Sequence, residues 1–531
     1  MIRTLVFSLA FGCCLASSGN QANVLLFTID SCRADRFGIY GYEKNTTPNV
    51  DQWAKAGTVF TNAYSTSAWT APGLVSILSG LYPPVHGVNN RDRMGPPKLA
   101  TLPKLFKQKG YRVPNLNFFT FAPYYRNLGL GKVEREYFGR RAEDPFLNWL
   151  ERELGGQDRP PFFLWFHVTT VHQPYRTSPE KLELILNGAE LSHGIQAVMN
   201  GAIVPYGSTH FQESDRPVLD ALYDDEIRRV DRFFGNVLTA LREAGELENT
   251  LIVMTADHGE ELLDHGFVGH ASTSLRARIY EEFIHIPLVV SWPGKVPCGE
   301  INPKRVSQID ILPTIAQLLG WEIPDYVQGK SLLDPSSERQ LFFESVVAGN
   351  QTTRERENIW TRGVLHHNYK YISTGELYDL AKDPEEQVDI ANSEPEIVRR
   401  LSLDLGSWLR RSVKLHTELF PSYQNVFQRR SKKCPAVHTP GNHSVLDYDL
   451  HTGALLFGWT GDMATTYLIE YDIGVGDHHV AGTYEVDGNH QILGPFPREL
   501  WGNLKAWNPF RFRVSPKSDE PCWSRWTEFE F

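Results

Sequence analysis

With 531 residues, 41% hydrophobic and 12% aromatic, the chain carries enough apolar surface for a large buried core and lies far from the disordered class. A formal net charge of -10 without basic clusters argues against nucleic-acid binding, and the short run Arg429-Arg430 with Lys432-Lys433 reads as solvated linker.

At the start, Arg3 precedes an apolar run from Leu5 to Leu15, and Ala16-Ser17-Ser18 offers small residues for cleavage near Gly19. This predicts a signal peptide over residues 1–18 and a secreted or periplasmic protein. The run is too short to span a bilayer. Gly12-Cys13 is the minority reading, a lipoprotein acceptor, with a poor approach through Ala10 and Phe11.

Val24 to Ile29 is a continuous apolar run ending in Asp30; Phe162 to Val168 is a second, followed by His172; Leu251 to Thr255 is a third, followed by Asp257 and His258. Continuous apolar strands imply a parallel sheet covered on both faces, and such sheets bind ligands beyond the carboxyl ends of their strands. Between the first two runs, Thr70 reads as a helix N-cap, Pro72 fits a first turn, and Leu74, Ile77, Leu78 and Leu81 recur at helical spacing. A hydroxyl at that helix mouth meets unpaired N–H groups and a positive dipole end, which suits a nucleophile attacking a phosphoryl or sulfuryl centre. Taken by itself, the segment reads first as an ordinary cap, since capping threonines far outnumber catalytic ones.

Asp30, Asp257 and neutral His258 offer two anionic oxygens and one imidazole nitrogen, and with the Thr70 oxygen they make a four-ligand set suited to zinc or manganese; calcium would want more oxygens. After Asp257-His258-Gly259-Glu260-Glu261 the chain continues through Asp264-His265-Gly266-Phe267-Val268-Gly269-His270. This second cluster reads as a further metal ligand, a proton donor to the leaving group, or a polar loop, with His270 and His265 as its candidates for acid catalysis or substrate contact.

Helical patterning through Ile397, Leu401, Leu405 and Leu409 gives way after about 411 to Pro421, Pro435 and Pro440, a predicted linker over 411–443. From 444 to 531 the runs are strand-like: Ala454 to Trp459, Tyr467 to Tyr471, Val480 to Val486, Phe510 to Val514 and Trp526 to Phe531. Cys434 and Cys522 bracket this region and suit a disulfide in an oxidising compartment, whereas Cys32 and Cys298 read as buried thiols. The pairing is not fixed by sequence.

At several of these residues the chain resembles the sulfatase family of the alkaline phosphatase superfamily. The segment Asn23 to Asp35 is similar to the family's first strand and metal motif, and Leu78-Ser79-Gly80-Leu81-Tyr82-Pro83 to the end of its nucleophile helix. His172-Gln173-Pro174-Tyr175, Asp257-His258-Gly259-Glu260, Asp310-Ile311-Leu312-Pro313-Thr314, Gly329-Lys330-Ser331-Leu332 and Glu376-Leu377-Tyr378-Asp379-Leu380 follow in the family's order. The resemblance implies an α/β fold: an alkaline phosphatase/sulfatase-like core over residues 22–410 with a mostly parallel central sheet and a smaller C-terminal subdomain from about 300. The last region resembles a fibronectin type III sandwich, an appended all-β domain for attachment, substrate positioning or simple buttressing.

The chain also departs from the family. Sulfatases carry Cys or Ser in a Cys/Ser-x-Pro-x-Arg motif that becomes formylglycine; here Thr70 takes that place and Leu74 that of the arginine. Thr cannot form that aldehyde. Ser31 replaces the second N-terminal aspartate, and no Gly-Lys-Trp-His-type motif follows Gly110-Tyr111-Arg112. Relatives that use Thr, such as lipoteichoic acid synthases, phosphoethanolamine transferases and nucleotide phosphodiesterases, act on phosphoesters with manganese or zinc.

The resemblance therefore implies a metal-dependent hydrolase of sulfuric or related anionic esters, including glycan or lipid esters. Thr70 would attack, Asp30, Asp257 and His258 would hold the metal, and His172 and His270 would contact the ester, with Arg33, Asn117 and His265 as further substrate contacts. The alternatives are a phosphoester hydrolase or phosphotransferase using the same site, and a catalytically silent binding protein. Retained Asp257, His258 and His270 count against the last, because buried charge is costly to keep.

Overall fold

Apolar runs without polar alternation have to be covered on both faces, and the central sheet is built from them. A computed structural model describes residues 21–89, 93–117, 122–131, 143–156, 159–188, 190–201, 211–271, 277–334, 339–346 and 360–421, with shorter stretches between 437 and 530. The predicted signal peptide, the lipoprotein alternative, Cys434 and Cys522 lie outside the described residues, as does most of the predicted linker.

The core strands are β1 (Asn23–Ile29), β2 (Thr58–Tyr64), β3 (Phe163–Val168), β4 (Thr250–Ala256), β7 (His285–Ile286), β8 (Leu288–Ser291) and β9 (Glu300–Ser307), with a small hairpin of β5 (Glu261–Leu262) and β6 (Val268–Gly269). The sheet order is β3-β1-β4-β8-β2-β7, with β9 pairing β2. Every residue of β1, β3 and β4 is buried. β1 runs parallel to β3 and to β4, with Ile29 opposite both Val168 and Ala256. The residues following these three strands therefore emerge at one edge.

The sheet is more mixed than the apolar runs suggested. β8 pairs antiparallel with β4 and β2, β7 antiparallel with β2, and only β9 runs parallel to β2. Among the described residues between β4 and β8, the chain makes the β5–β6 hairpin and the short helix Glu281–Ile284, not the long crossover helix a parallel return needs.

The 28-residue helix Arg216–Glu243 packs on the sheet through Phe233 and Phe234, whose rings lie 5.8 and 5.0 Å from that of Phe27. The helix Thr70–Ser79 is buried along its whole length and stops at Gly80, whose φ of 68° is the left-handed conformation that glycine adopts at low cost. Gly73 has no room for a side chain, since a Cβ there would lie 2.6 Å from the Asp257 carbonyl. This close approach sets the helix mouth against the end of β4.

A second antiparallel sheet, β10 (Leu341–Val346), β11 (Trp360–His366), β12 (Tyr369–Ile372) and β13 (Leu377–Asp379), packs under the helix Pro395–Leu419. Trp408 of that helix stacks on Phe342 at 4.8 Å and 3°. The helix runs past 411, where a linker was expected, because Leu409 and Ser412 continue its buried face and His416 Nδ1 meets the Val85 carbonyl at 2.7 Å. It ends just before Pro421.

The last region forms a three-stranded sheet of Val437–Thr439, Leu455–Trp459 and His490–Leu493 and a five-stranded sheet containing Thr466–Val475, His478–Asp487 and Phe510–Pro516. Phe457 and Trp459 from the first meet Tyr467, Ile469, Phe512, Val514 and Phe529 from the second in one apolar cluster, as in a β-sandwich. Cys32 is buried as expected, but Cys298 is exposed, since it sits in the turn between β8 and β9. Among the described residues no helix is long and apolar enough to cross a membrane.

Candidate active site

Asp30 and Asp257 follow β1 and β4 directly, so the parallel register sets their carboxylates side by side. Ser31 turns the chain at a φ of 58°, and its N–H donates to Asp257 Oδ1 at 3.1 Å while its hydroxyl donates to Asp30 Oδ1 at 3.2 Å. Tyr223, from the Arg216–Glu243 helix, donates to the Ser31 carbonyl at 2.6 Å and accepts from the Arg33 N–H at 3.0 Å. The turn is thus held by a residue distant in sequence.

Thr70 is the first helical residue, not the cap. Trp69 occupies the cap position with φ -166° and ψ 165°, and no side chain closes that helix end. The Thr70 hydroxyl is therefore turned toward the carboxylates, with Oγ1 3.4 Å from Asp30 Oδ1 and 3.3 Å from His258 Nε2. His258 Nδ1 lies 2.7 Å from the Gly259 carbonyl, which can only accept, so the ring proton sits on Nδ1 and the Nε2 lone pair faces Thr70. The same nitrogen is 3.7 Å from Asp30 Oδ1 and 3.5 Å from Asp257 Oδ2.

Two imidazoles extend the cluster. The His270 ring lies 4.5 Å from that of His258 and 4.9 Å from that of His172. His172 Nδ1 meets the Gln173 carbonyl at 2.6 Å, and His270 Nδ1 meets Glu260 Oε1 at 2.8 Å.

The donor set fits a divalent cation. Asp30 Oδ2 and Asp257 Oδ2 are buried without a hydrogen-bond partner, an arrangement that is costly unless something positive lies between them. Asp30, Asp257 and His258 each offer a ligand atom, all within 4.8 Å of one another. Burial pushes the Asp30 carboxyl up, but His172, His167 and His258 outweigh it and hold the group well below the usual carboxylate range. Asp257 is pushed well above that range by burial and by the Asp30 charge. Burial, with His270 beside it, keeps His258 neutral and so able to ligate.

Six of the nine candidates thus come together: Asp30, Thr70, Asp257, His258, His172 and His270. The other three are engaged elsewhere. The Arg33 guanidinium bonds Asp35, Asp264 and the Glu260 carbonyl, at 2.6 to 3.4 Å. Asn117 donates to the Trp165 carbonyl at 3.0 Å and accepts from the His167 N–H at 2.7 Å, so both ends of its amide brace β3. His265 lies between Glu282 at 2.9 Å and the Glu386 carbonyl at 3.2 Å, stacked on Tyr280. These bonds occupy the groups that a substrate contact would use. Leu74, in the arginine position, is buried in the core.

Two residues at the cluster were missed in the sequence. Glu260 holds His270, and its place in the Asp257-His258-Gly259-Glu260 string was the available signal. His167 stands in β3 opposite Thr28, a polar break in an otherwise apolar run. Its Nε2 is 3.6 Å from Asp30 Oδ2 and 3.8 Å from Asp257 Oδ2.

The buried carboxyls make stability depend on pH. Burial raises Glu260 from 4.5 to about 8 and Glu261 from 4.5 to about 7. The folded chain then holds protons that the unfolded chain has released, so this stability is full below about pH 4.5 and lost as pH rises through 7 to 8. His258 and His86 are depressed by burial and act in the opposite sense, but only below their ordinary 6.5. Calorimetry of the chelator-treated protein is therefore expected to show its thermal midpoint falling by about 2–4 °C between pH 6.5 and 8. A midpoint that rises over this window contradicts the protonated state of the two glutamates.

A sequence-family model described as "Sulfatase" matches residues 22–321, and one described as "N-sulphoglucosamine sulphohydrolase, C-terminal" matches residues 275–409. The chain is 24% identical over 456 residues to arylsulfatase K of Bos taurus, covering 72% of this chain and 81% of the relative. It is 25% identical over 492 residues to human arylsulfatase A, covering 75% and 89%. Among solved structures, the phosphonate monoester hydrolase of Agrobacterium radiobacter shares the fold, with a TM-score of 0.58, 22% identity and coverage of 74% of this chain and 96% of that one.

Proposed function

The chain belongs to the sulfatase family, ester hydrolases that use a divalent metal, and from that premise we propose that it hydrolyses sulfuric or related anionic esters with Thr70 as its nucleophile. The observation that carries this reading is the Thr70 hydroxyl at an uncapped helix mouth, 3.3 Å from His258 Nε2 and 3.4 Å from Asp30 Oδ1.

Asp30, Asp257, His258 and Thr70 would hold the cation, and two carboxylates with an imidazole favour zinc or manganese over calcium. When bound, such an ion supplies Lewis acidity, lowering the pKa of the Thr70 hydroxyl and neutralising charge on the ester. Thr70, its hydroxyl proton released to solvent when the ion is bound, would attack the central sulfur or phosphorus through Oγ1, and the bond to the departing alcohol would break. His270, oriented by Glu260, gives that alcohol its proton, while His172 faces the anionic oxygens. Thr70 has one hydroxyl, so water has to open the enzyme ester at its central atom, restoring the free side chain.

A second reading, a phosphoester hydrolase or phosphotransferase, uses the same residues. It is favoured by the apolar Leu74 in the position of the sulfatase arginine. The C-terminal sandwich is read as a fibronectin type III-like module that attaches the enzyme or positions its substrate, and residues 1–18 as a signal for secretion.

Peptide mass spectrometry over residues 62–91 of the purified protein is expected to find Thr70 unmodified. An aldehyde mass at that position removes the argument from the altered motif. Metal analysis separates an enzyme from a binding protein: a preparation that takes up no zinc, manganese or calcium and gains no esterase activity from them favours the silent pocket.

A further inference from the structure

We propose that His167 is a metal ligand, adding a second imidazole nitrogen to the cation held by Asp30 and Asp257. The inference rests on the reading that those carboxylates with His258 bind a divalent ion.

Three buried polar atoms without hydrogen-bond partners converge at the carboxyl end of β1, β3 and β4: Asp30 Oδ2, Asp257 Oδ2 and His167 Nε2. Their separations of 3.6 and 3.8 Å from the imidazole are too long for hydrogen bonds. They are close to the spacing of atoms that share an ion, since bonds of about 2.0–2.1 Å place neighbouring ligands of a five-coordinate ion roughly 2.9 to 3.5 Å apart. The His167 side chain is 1% exposed, so its Nε2 is shielded from bulk solvent.

The surroundings orient the ring for this task. In the parallel register His167 stands opposite Thr28, two residues before Asp30, so its side chain emerges on the Asp30 face of the sheet. Thr28 Oγ1 accepts from Trp165 Nε1 at 3.0 Å and meets His167 Nδ1 at 3.0 Å. With the Thr28 proton toward the Phe166 carbonyl, the imidazole donates from Nδ1 and presents the Nε2 lone pair to the carboxylates. Asn117, accepting from the His167 backbone N–H, braces this part of β3. An N–H on Nε2, paired electrostatically with the two carboxylates, is the competing arrangement.

Electron spin echo spectroscopy of the manganese-loaded full-length protein separates the two. The wild type is expected to show two coupled imidazole nitrogens, with one lost in His167→Gln and the other in His258→Gln. Calorimetric titration with zinc is expected to show binding weakened about tenfold or more in His167→Gln. The wild-type nitrogen count does not depend on how the variants fold, and circular dichroism of the chelated variants checks their folding. A wild-type spectrum with a single nitrogen, unchanged in His167→Gln, overturns the assignment of His167 and leaves the metal site standing. A wild type that binds neither zinc nor manganese overturns the metal reading itself.

Discussion

Thr70→Ala is expected to lose at least about three orders of magnitude of turnover while the protein keeps its fold. The hydroxyl is 3.3 Å from His258 Nε2 and 3.4 Å from Asp30 Oδ1, and the helix it opens is started by Trp69, so the side chain carries no capping bond that the helix would miss. The cost to stability should stay within about 1 kcal/mol, the range for a small truncation that leaves backbone bonding intact. Steady-state turnover with a saturating aryl ester, beside a thermal melt of the same preparation, measures both. Full activity in Thr70→Ala removes the nucleophile from this helix altogether. A collapsed melting curve means instead that Thr70 is structural.

The second large effect concerns the central atom and the metal together. On a matched pair, one aryl sulfate and the phosphate of the same phenol, turnover is expected to be negligible after chelation. It should return better with manganese or zinc than with calcium, and more strongly for the phosphate. A phosphoester carries more negative charge than a sulfate monoester, so a compact divalent ion has more to neutralise. The arginine that would support a sulfuryl oxygen is replaced by a buried leucine, Leu74, and Arg33 is held by Asp35 and Asp264. Sulfate turnover supported best by calcium sinks both halves and leaves an ordinary sulfatase with an unusual nucleophile. Phosphate turnover without metal preference sinks only the ligand argument.

The sequence by itself determined the sheet edge and which residues stand at it. Val24 to Ile29 and Leu251 to Thr255 read as buried strands because their apolar character is continuous, and the residues directly after them need no tertiary information to be placed at a strand end. Thr70 was legible for a similar reason: it opens an apolar helical repeat. These are local patterns, and local patterns survive in a linear chain.

Partner choice is not local, and there the tertiary structure decided. Arg33 looked free to bind an ester until Asp264, 231 residues away, closed on its guanidinium. Asn117 was taken by β3 and His265 by Glu282 and Glu386. His167 was hidden inside a strand whose register with β1 sets it beside Asp30, and the orientation of His270 depends on Glu260 across the β5–β6 hairpin. The antiparallel entry of β8 and the continuation of the last helix to Leu419 have the same origin. A polar side chain's role follows from which donor or acceptor is nearest after folding, and burial makes that contact obligatory, so it can be read only once strands distant in the chain have been brought into register.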